Sequence, residues 1–439
     1  VVMGTLWARA ERERVRAEGA EALAQREAAS AKAGAQLAES LALQVLPEVA
    51  RLGGSLGAQE LIGRALKARV EQLPEDMKSS PQALRDQADA LEALATAAFT
   101  TRGERRGSPD VARPLFEEAL RLREILTQSE NATSRDREAL LLGKIKLADL
   151  LMNALGKTDQ ALALYAQAAR EAEQLPPPSP TDQEPSPGRR LLAAALINAA
   201  DALLVQGRDV EATGLITRSV SLREEMATRW PDDRYVQRDL SVGLSRQGRL
   251  AERANRWEDA VKVYQQALAI RRRLAALYPD EGQTKRDVVV ASEALVRALL
   301  ETGQFAAARE LLVPALSQTN AAVADAGDDE RAAWDQARLM LLTGRVLVRE
   351  GRAKDAAQHF QNYSMKKLVE DRFPGQLPLL ATAAEWAEAS GDAEQAAGHA
   401  DLALEEWKQA DIWLDRLCKA MPDAAEFPPA DAGARAFPG

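Results

Sequence analysis

The chain has 439 residues, of which 57 are Lys or Arg and 66 are Asp or Glu, and its formal net charge is −9 at pH 7. This acidic balance argues against general nucleic-acid binding, which needs a basic surface. Two histidines, His359 and His399, and one cysteine, Cys418, offer almost no ligands for a zinc site and exclude an intrachain disulfide.

The first 82 residues predict a lead-in to the rest of the chain. Residues 1–7 are apolar but too few to cross a bilayer, which takes about 20. They form either an apolar terminus or the last turns of a truncated transmembrane helix with Trp7 at the interface. Because residue 1 is valine, we expect further residues before it. Residues 8–48 predict a long helical linker, rich in Ala, Glu, Arg and Gln, and residues 49–82 predict a helical lead-in.

Residues 83–421 contain a repeat that predicts helical hairpins. Each unit has a turn residue, usually glycine, then an alanine five residues later, a bulky residue four beyond it and a small residue three further on. The glycine ends the first helix in the left-handed conformation, and the alanine lets the second helix pack closely. The seven sets are Gly107–Ala112–Phe116–Ala119, Gly156–Ala161–Tyr165–Ala168, Gly207–Ala212–Ile216–Ser219, Asn255–Ala260–Tyr264–Ala267, Gly303–Ala308–Leu312–Ala315, Gly351–Ala356–Phe360–Tyr363 and Gly391–Ala396–Ala400–Ala403.

Successive alanines of these sets are separated by 49, 51, 48, 48, 48 and 40 residues. Arg238-Asp239 also returns 48 residues later as Arg286-Asp287. The pattern resembles the tetratricopeptide repeat, whose usual period is about 34, with about two extra turns in each helix. The predicted fold is therefore all-α, a tetratricopeptide-like solenoid whose first helices line the inner face. A proline-rich loop at residues 175–188 interrupts the array, and we expect residues 422–439 to be a disordered tail.

Two short segments resemble catalytic motifs without meeting their requirements. Gly156-Lys157-Thr158 lacks the glycine that a phosphate-binding loop needs five residues earlier, where Leu151 stands. Arg238-Asp239-Leu240 follows Gln237, where a kinase catalytic loop has histidine. We therefore predict no catalytic residue, no cofactor and no metal in this chain, and a scaffold instead of an enzyme.

The order of segments resembles the C-terminal region of bacterial membrane-anchored serine/threonine protein kinases that carry tetratricopeptide repeats. The resemblance rests on the apolar start, the Arg/Glu/Ala helix, the segment LPEVARLGGSLGAQELIGRALKARVEQL and repeat phrases such as RDLSV and KVYQQALAIRRRL. It implies a sensory or docking region behind a kinase domain that is not in this chain. The alternative is a repeat array of a cytosolic regulator, such as a transcription factor or signalling ATPase, or a free-standing adaptor.

The two interpretations imply different locations. The kinase resemblance implies a single-pass anchor in a bacterial inner membrane, and the alternative implies a cytoplasmic protein. The side of the repeats stays open, because the basic flank Arg9, Arg12, Arg14 and Arg16 prefers the cytoplasm, whereas the kinase resemblance places the repeats outside.

Three arginines predict a ligand-binding stripe on the inner face. Counting six residues back from Asn255, Gly303 and Gly351 gives Arg249, Arg297 and Arg345. Guanidinium groups suit carboxylates and phosphates, so the predicted partner is a protein or peptide, with acidic ones favoured. The acidic net charge predicts no nucleic acid as a partner. Three more arginines extend the stripe: Arg253, Arg338 and Arg349. The alternative is pairing with neighbours, Glu293 for Arg297 and Glu252 for Arg249; Arg345 has no acid at helical spacing.

Overall fold

The computed structural model describes residues 79–99, 109–176, 185–325 and 329–420, together with Arg64 and Ala68. The predicted membrane-helix end, the linker helix, nearly all of the lead-in, the first turn at Gly107 and the predicted tail lie outside the described residues.

The described residues form fourteen α-helices, one π-helix and no strand. The helices follow one another as seven pairs, which confirms the predicted all-α fold of tetratricopeptide-like hairpins. Their bounds are α1 Pro81–Phe99, α2 Pro109–Gln128, α3 Ser134–Asn153, α4 Thr158–Glu173, α5 Pro187–Val205, α6 Asp209–Arg229, α7 Arg234–Arg253, α8 Trp257–Leu277, α9 Gly282–Glu301, α10 Phe305–Asp325, α11 Glu330–Arg349, α12 Ala353–Gln361, the π-helix Lys367–Arg372, α13 Leu377–Ala397 and α14 Ala400–Ala420.

The chain divides into two compact units, with the boundary between Gly143 and Lys144 inside α3. In the first unit, α1 and α2 pack against each other. The buried Arg123 of α2 donates from Nε to Glu92 (2.6 Å) and from Nη2 to Asp89 (2.9 Å), both on α1. The second unit contains the rest of α3, the helix α4 and the five hairpins from α5 to α14. The first helix of each hairpin carries an odd number and the second helix an even number.

Most of the predicted hairpin register is confirmed in the described residues. The turn residues Gly156, Gly207, Asn255, Gly303 and Gly351 all have positive φ, between 53° and 77°. Asn255 takes this conformation at low cost because asparagine tolerates the left-handed region better than most residues. The alanines five residues after these turns are completely buried.

The seventh turn was predicted at the wrong glycine. Gly391 lies inside α13, and the chain turns at Gly398, where φ is 91°. The register then runs Gly398–Ala403–Trp407–Ala410, and Ala403 follows Ala356 by 47 residues, close to the spacing of the others. Gly391 serves packing instead: a Cβ there would lie 2.4 Å from Nε1 of Trp407.

The sixth hairpin departs from the pattern in its second helix. α12 ends at Gln361, and the π-helix Lys367–Arg372 follows after a turn. Tyr363 occupies the position that holds a small residue in the earlier hairpins, and its ring packs 5.2 Å from the ring of Trp386. The regular helix therefore ends two residues before the position at which the earlier hairpins carry a small residue.

Candidate functional site on the first helices

Ion pairs join successive first helices of the second unit. Arg190 of α5 binds Asp239 of α7 (2.7 Å), Arg238 of α7 binds Asp287 of α9 (2.5 Å), and Arg286 of α9 binds Asp335 of α11 (2.6 Å). Each pair spans 49 residues, one repeat plus one position. In the repeated Arg-Asp dipeptide, the arginine therefore pairs with the next first helix along the chain and the aspartate pairs with the previous one. These ion pairs fix the stacking of the helices that carry the predicted stripe.

The predicted stripe lies on three consecutive first helices. Arg249 belongs to α7, Arg297 to α9 and Arg345 to α11, and α9 contacts both of the other helices. With the corrected seventh turn, the same register position holds Asp201 on α5 and Asp392 on α13. We call the face of α5, α7, α9, α11 and α13 that carries these five residues the first-helix surface.

Arg297 and Arg345 are held in ion pairs that cross between hairpins. Nη2 of Arg297 lies 3.5 Å from Glu252 of α7, and Nη1 lies 4.0 Å from Glu293 on its own helix. Nη2 of Arg345 lies 3.3 Å from Glu385 of α13. Helical spacing predicted no acid for Arg345 on its own helix, and its partner lies 40 residues away in sequence, adjacent only after the helices stack.

The three arginines predicted to widen the stripe are also paired. Arg338 donates to Glu293 through Nε (2.8 Å) and Nη2 (2.5 Å), Arg349 donates to Glu301 (3.2 Å) and Arg253 donates to Asp209 (2.8 Å). Arg338 also lies over the ring of Trp334, with Cζ 5.5 Å from the ring centroid. These contacts neutralise much of the charge that the sequence places on this surface.

Arg249 differs from the other five. It is exposed and makes no ion pair or hydrogen bond with any residue that the structure describes. Its pKa is nevertheless lowered, first because surrounding protein removes water from the guanidinium and then because of the like charge of Arg246, with Arg297 adding to the effect. Asp201 and Tyr264 act in the opposite direction, so Arg249 is an exposed cation whose surroundings contain two other arginines and the carboxylate that Arg246 binds.

Sequence reasoning missed Arg246, which lies one turn before Arg249 on α7. Its Nε donates to Asp201 of α5 (2.8 Å). The signal was available, because residues three apart share one face of a helix. Counting only one residue per repeat excluded it.

A second group of polar residues at the α5 end was also missed. The hydroxyl of Tyr165 donates to Asp149 (2.5 Å), and the amide of Asn198 donates to the same carboxylate (3.0 Å). Burial raises the pKa of Asp149, and the charge of Asp201 raises it further. This end of the surface is thus acidic, whereas α7 to α11 carry the arginines.

The described residues contain no group of three or more His, Cys, Asp or Glu side chains placed to hold a metal ion. Within the same residues, none of the helices is both long and apolar enough to cross a bilayer.

The sequence comparison identifies a repeat at the centre of this surface. The tetratricopeptide repeat family model matches residues 244–277, from the second half of α7 to the end of α8. This segment carries Arg246, Arg249 and Asn255. The array is thus a repeat region of the tetratricopeptide type. No curated protein sequence is similar enough to this chain to be counted as a relative.

Several solved structures are similar in fold. The apo form of RapI is 11% identical with a TM-score of 0.49, and the match covers 76% of this chain and 99% of RapI. Aspartyl phosphate phosphatase F from Bacillus subtilis is 13% identical with a TM-score of 0.49, covering 83% and 79%. A Rap protein complexed with Competence and Sporulation Factor is 13% identical with a TM-score of 0.44, covering 88% and 99%.

Proposed function

We propose that this chain is a scaffold whose first-helix surface binds an acidic segment of a protein or peptide. The observation that carries the proposal is the row Arg249, Arg297 and Arg345 on three stacked helices, in which Arg249 is exposed and has no ion pair among the described residues.

The pattern of ion pairs on this surface supports an anionic ligand. Six arginines of this surface on α7, α9 and α11 are paired with carboxylates and Arg249 is not; the paired arginines are Arg246, Arg253, Arg297, Arg338, Arg345 and Arg349, and their partners are Asp201, Asp209, Glu252, Glu293, Glu301 and Glu385. Arg249 is thus an exposed cation without an ion pair among the described residues, in a chain of net charge −9. Arginine forks bind carboxylates and phosphates with two parallel hydrogen bonds, which favours such groups over apolar side chains.

The test is the triple variant Arg249→Gln, Arg297→Gln, Arg345→Gln, assayed with fluorescent acidic peptides by anisotropy at low and moderate salt. We expect an affinity loss of at least about tenfold, together with a weaker salt dependence, because exposed charges are screened by salt. The matched control is Arg218→Gln, Arg272→Gln, Arg309→Gln, which removes the same charge from exposed positions on the second helices α6, α8 and α10. Equal binding by the two triple variants would contradict the proposal.

We further propose, from the resemblance of the sequence, that the array is the sensory or docking region of a bacterial membrane-anchored serine/threonine kinase. The test is the sequence encoded before residue 1. A kinase domain followed by about 13 more apolar residues supports this role and the membrane anchor. A DNA-binding or nucleotide-hydrolysing domain, or none, supports a cytosolic regulator or an adaptor instead.

A further inference from the structure

We infer that Arg249 is the anchor that binds one carboxylate or phosphate group of the ligand, and that Arg297 and Arg345 are struts that hold neighbouring hairpins together. This inference rests on the proposed function and refines it, because it assigns different roles to residues at equivalent positions of the repeat.

The assignment of the struts follows from their contacts. Arg297 joins α9 to Glu252 of α7, and its side chain is 30% exposed. Arg345 joins α11 to Glu385 of α13. A ligand anion at either arginine would compete with a carboxylate that is already present, so little free energy remains for binding.

The assignment of the anchor follows from the surroundings of Arg249. Arg246 lies one turn before it and is held toward α5 by Asp201, and Arg297 approaches α7 through Glu252, one turn after it. The guanidinium of Arg249 is thus exposed near two cations and the carboxylate of Asp201, which is already bound to Arg246, and it makes no ion pair or hydrogen bond of its own among the described residues. The arginines repel each other, and a bound anion offsets this repulsion because it attracts each of them.

The chemistry of the ligand follows from the donors. A guanidinium has five N–H groups and no acceptor, so Arg249 binds an acceptor-only group such as a carboxylate or a phosphate. A peptide supplies that group as a Glu or Asp side chain, as its C-terminal carboxylate or as a phosphoserine. All three groups make the same kind of contact with the guanidinium of Arg249, and NMR titration with different peptides distinguishes them.

A direct test is arginine-selective NMR of the full chain, which follows the Nε–Hε signals. The signals of Arg249, Arg297 and Arg345 are assigned by their absence in the single Arg→Lys variants. The probes are four peptides of one Gly/Ser sequence: one with a central Glu, one with a central phosphoserine, one with a central Gln, and the Gln peptide with an amidated C-terminus. We expect the Arg249 signal to move with the Glu or phosphoserine peptide and to be unmoved by the amidated Gln peptide, and the two strut signals to stay in place. Movement with the Gln peptide only while its C-terminus is free assigns the carboxylate terminus.

Single variants provide a second measurement. Arg249→Gln should lower the affinity for the binding peptide about tenfold and leave the urea midpoint nearly unchanged, because Arg249 makes no ion pair or hydrogen bond among the described residues that the substitution would remove. Arg297→Gln should lower the urea midpoint, because it leaves Glu252 without this partner, and should change affinity less than threefold. The variant Arg297→Gln is thus the control for Arg249→Gln.

The outcomes separate this inference from the proposed function. Two results would contradict the anchor role of Arg249 and leave the acidic-ligand proposal standing. One is that all three arginine signals move together; the other is that Arg249→Gln binds the peptide as the parent does while the triple variant does not bind it. If no acidic peptide moves any of the signals and the triple variant binds like its control, both are wrong.

Discussion

At the scale of single residues, Asp136 shows how one carboxylate joins a helix start to a neighbouring helix. It accepts hydrogen bonds from Nε and Nη2 of Arg85 (2.7 and 2.8 Å) and from the backbone N–H and hydroxyl of Thr133 (2.9 and 2.7 Å). Its own N–H donates to Thr133 Oγ1 (3.2 Å), so the two residues cap α3 reciprocally. The bonds from Arg85 contribute most to lowering the pKa of Asp136 well below its ordinary value.

Asp136→Asn should therefore destabilise the first unit in a pH-dependent way. The pKa of this carboxyl is lower in the folded state than in the unfolded one, so its contribution is fully present above about pH 4 and is lost as pH falls. We expect a cost of about 1–2 kcal/mol at pH 7, since Arg85 is partly exposed, and a smaller one at pH 3. Urea unfolding of the variant and the parent at both pH values measures this loss in the free energy of unfolding. Asp110→Asn, at an exposed position in the first turn of α2, is the control, and an equal pH dependence in both variants would contradict this account.

At the scale of the helical hairpin, a glycine of the first helix faces an aromatic ring of the second helix in three hairpins. The position seven residues before the turn is glycine at 248, 344 and 391, and the facing residues are Tyr264, Phe360 and Trp407. A Cβ added at Gly344 would lie 2.2 Å from Cζ of Phe360. Where the facing residue is aliphatic, as with Leu312, the position holds a larger side chain, Val296.

Gly344→Ala should separate α11 from α12, because the new methyl group and the ring of Phe360 cannot occupy the same space. We expect a loss of about 1–3 kcal/mol in the free energy of unfolding, which is typical of overpacked cores. Thermal and urea denaturation measure it.

The matched control for that substitution is Gly214→Ala, on α6, where an added Cβ has no atom within 4 Å. Alanine in a helix interior is favoured over glycine by about 0.5–1 kcal/mol, so this variant should be slightly more stable than the parent. If both alanine variants are equally stable, the close contact at Gly344 does not determine the packing.

At the scale of the whole second unit, the repeated Arg-Asp pairs connect hairpins that are far apart in sequence. Asp335 is buried, and burial raises its pKa, with the charge of Glu293 acting in the same direction. Arg286 opposes this effect through two hydrogen bonds of 2.6 and 3.0 Å. In repeat arrays the interfaces between neighbouring units provide much of the cooperativity of unfolding.

Arg286→Met should weaken the coupling between α9 and α11. We expect a loss of about 2 kcal/mol at pH 7, because a buried carboxylate is left without its partner, and a smaller urea m-value. In this variant the pKa of Asp335 should rise further, so stability should recover as pH falls and the carboxyl takes up a proton. Arg331→Met, at an exposed position on α11, is the control. A loss that does not depend on pH would contradict the assigned role of Asp335.

The sequence by itself determined the hairpins and most of their turns. Positive φ at Gly207 or Gly303 and the buried Ala260 follow from backbone sterics within one hairpin, and such local requirements recur at every repeat. The tertiary structure decided what depends on neighbours. Only the packing of Trp407 assigns Gly391 to the helix and leaves the turn to Gly398. Likewise, Glu385 lies 40 residues from Arg345, and Glu252 lies 45 residues from Arg297. An ion pair depends on distances in space, and these distances are set only when helices from different hairpins stack.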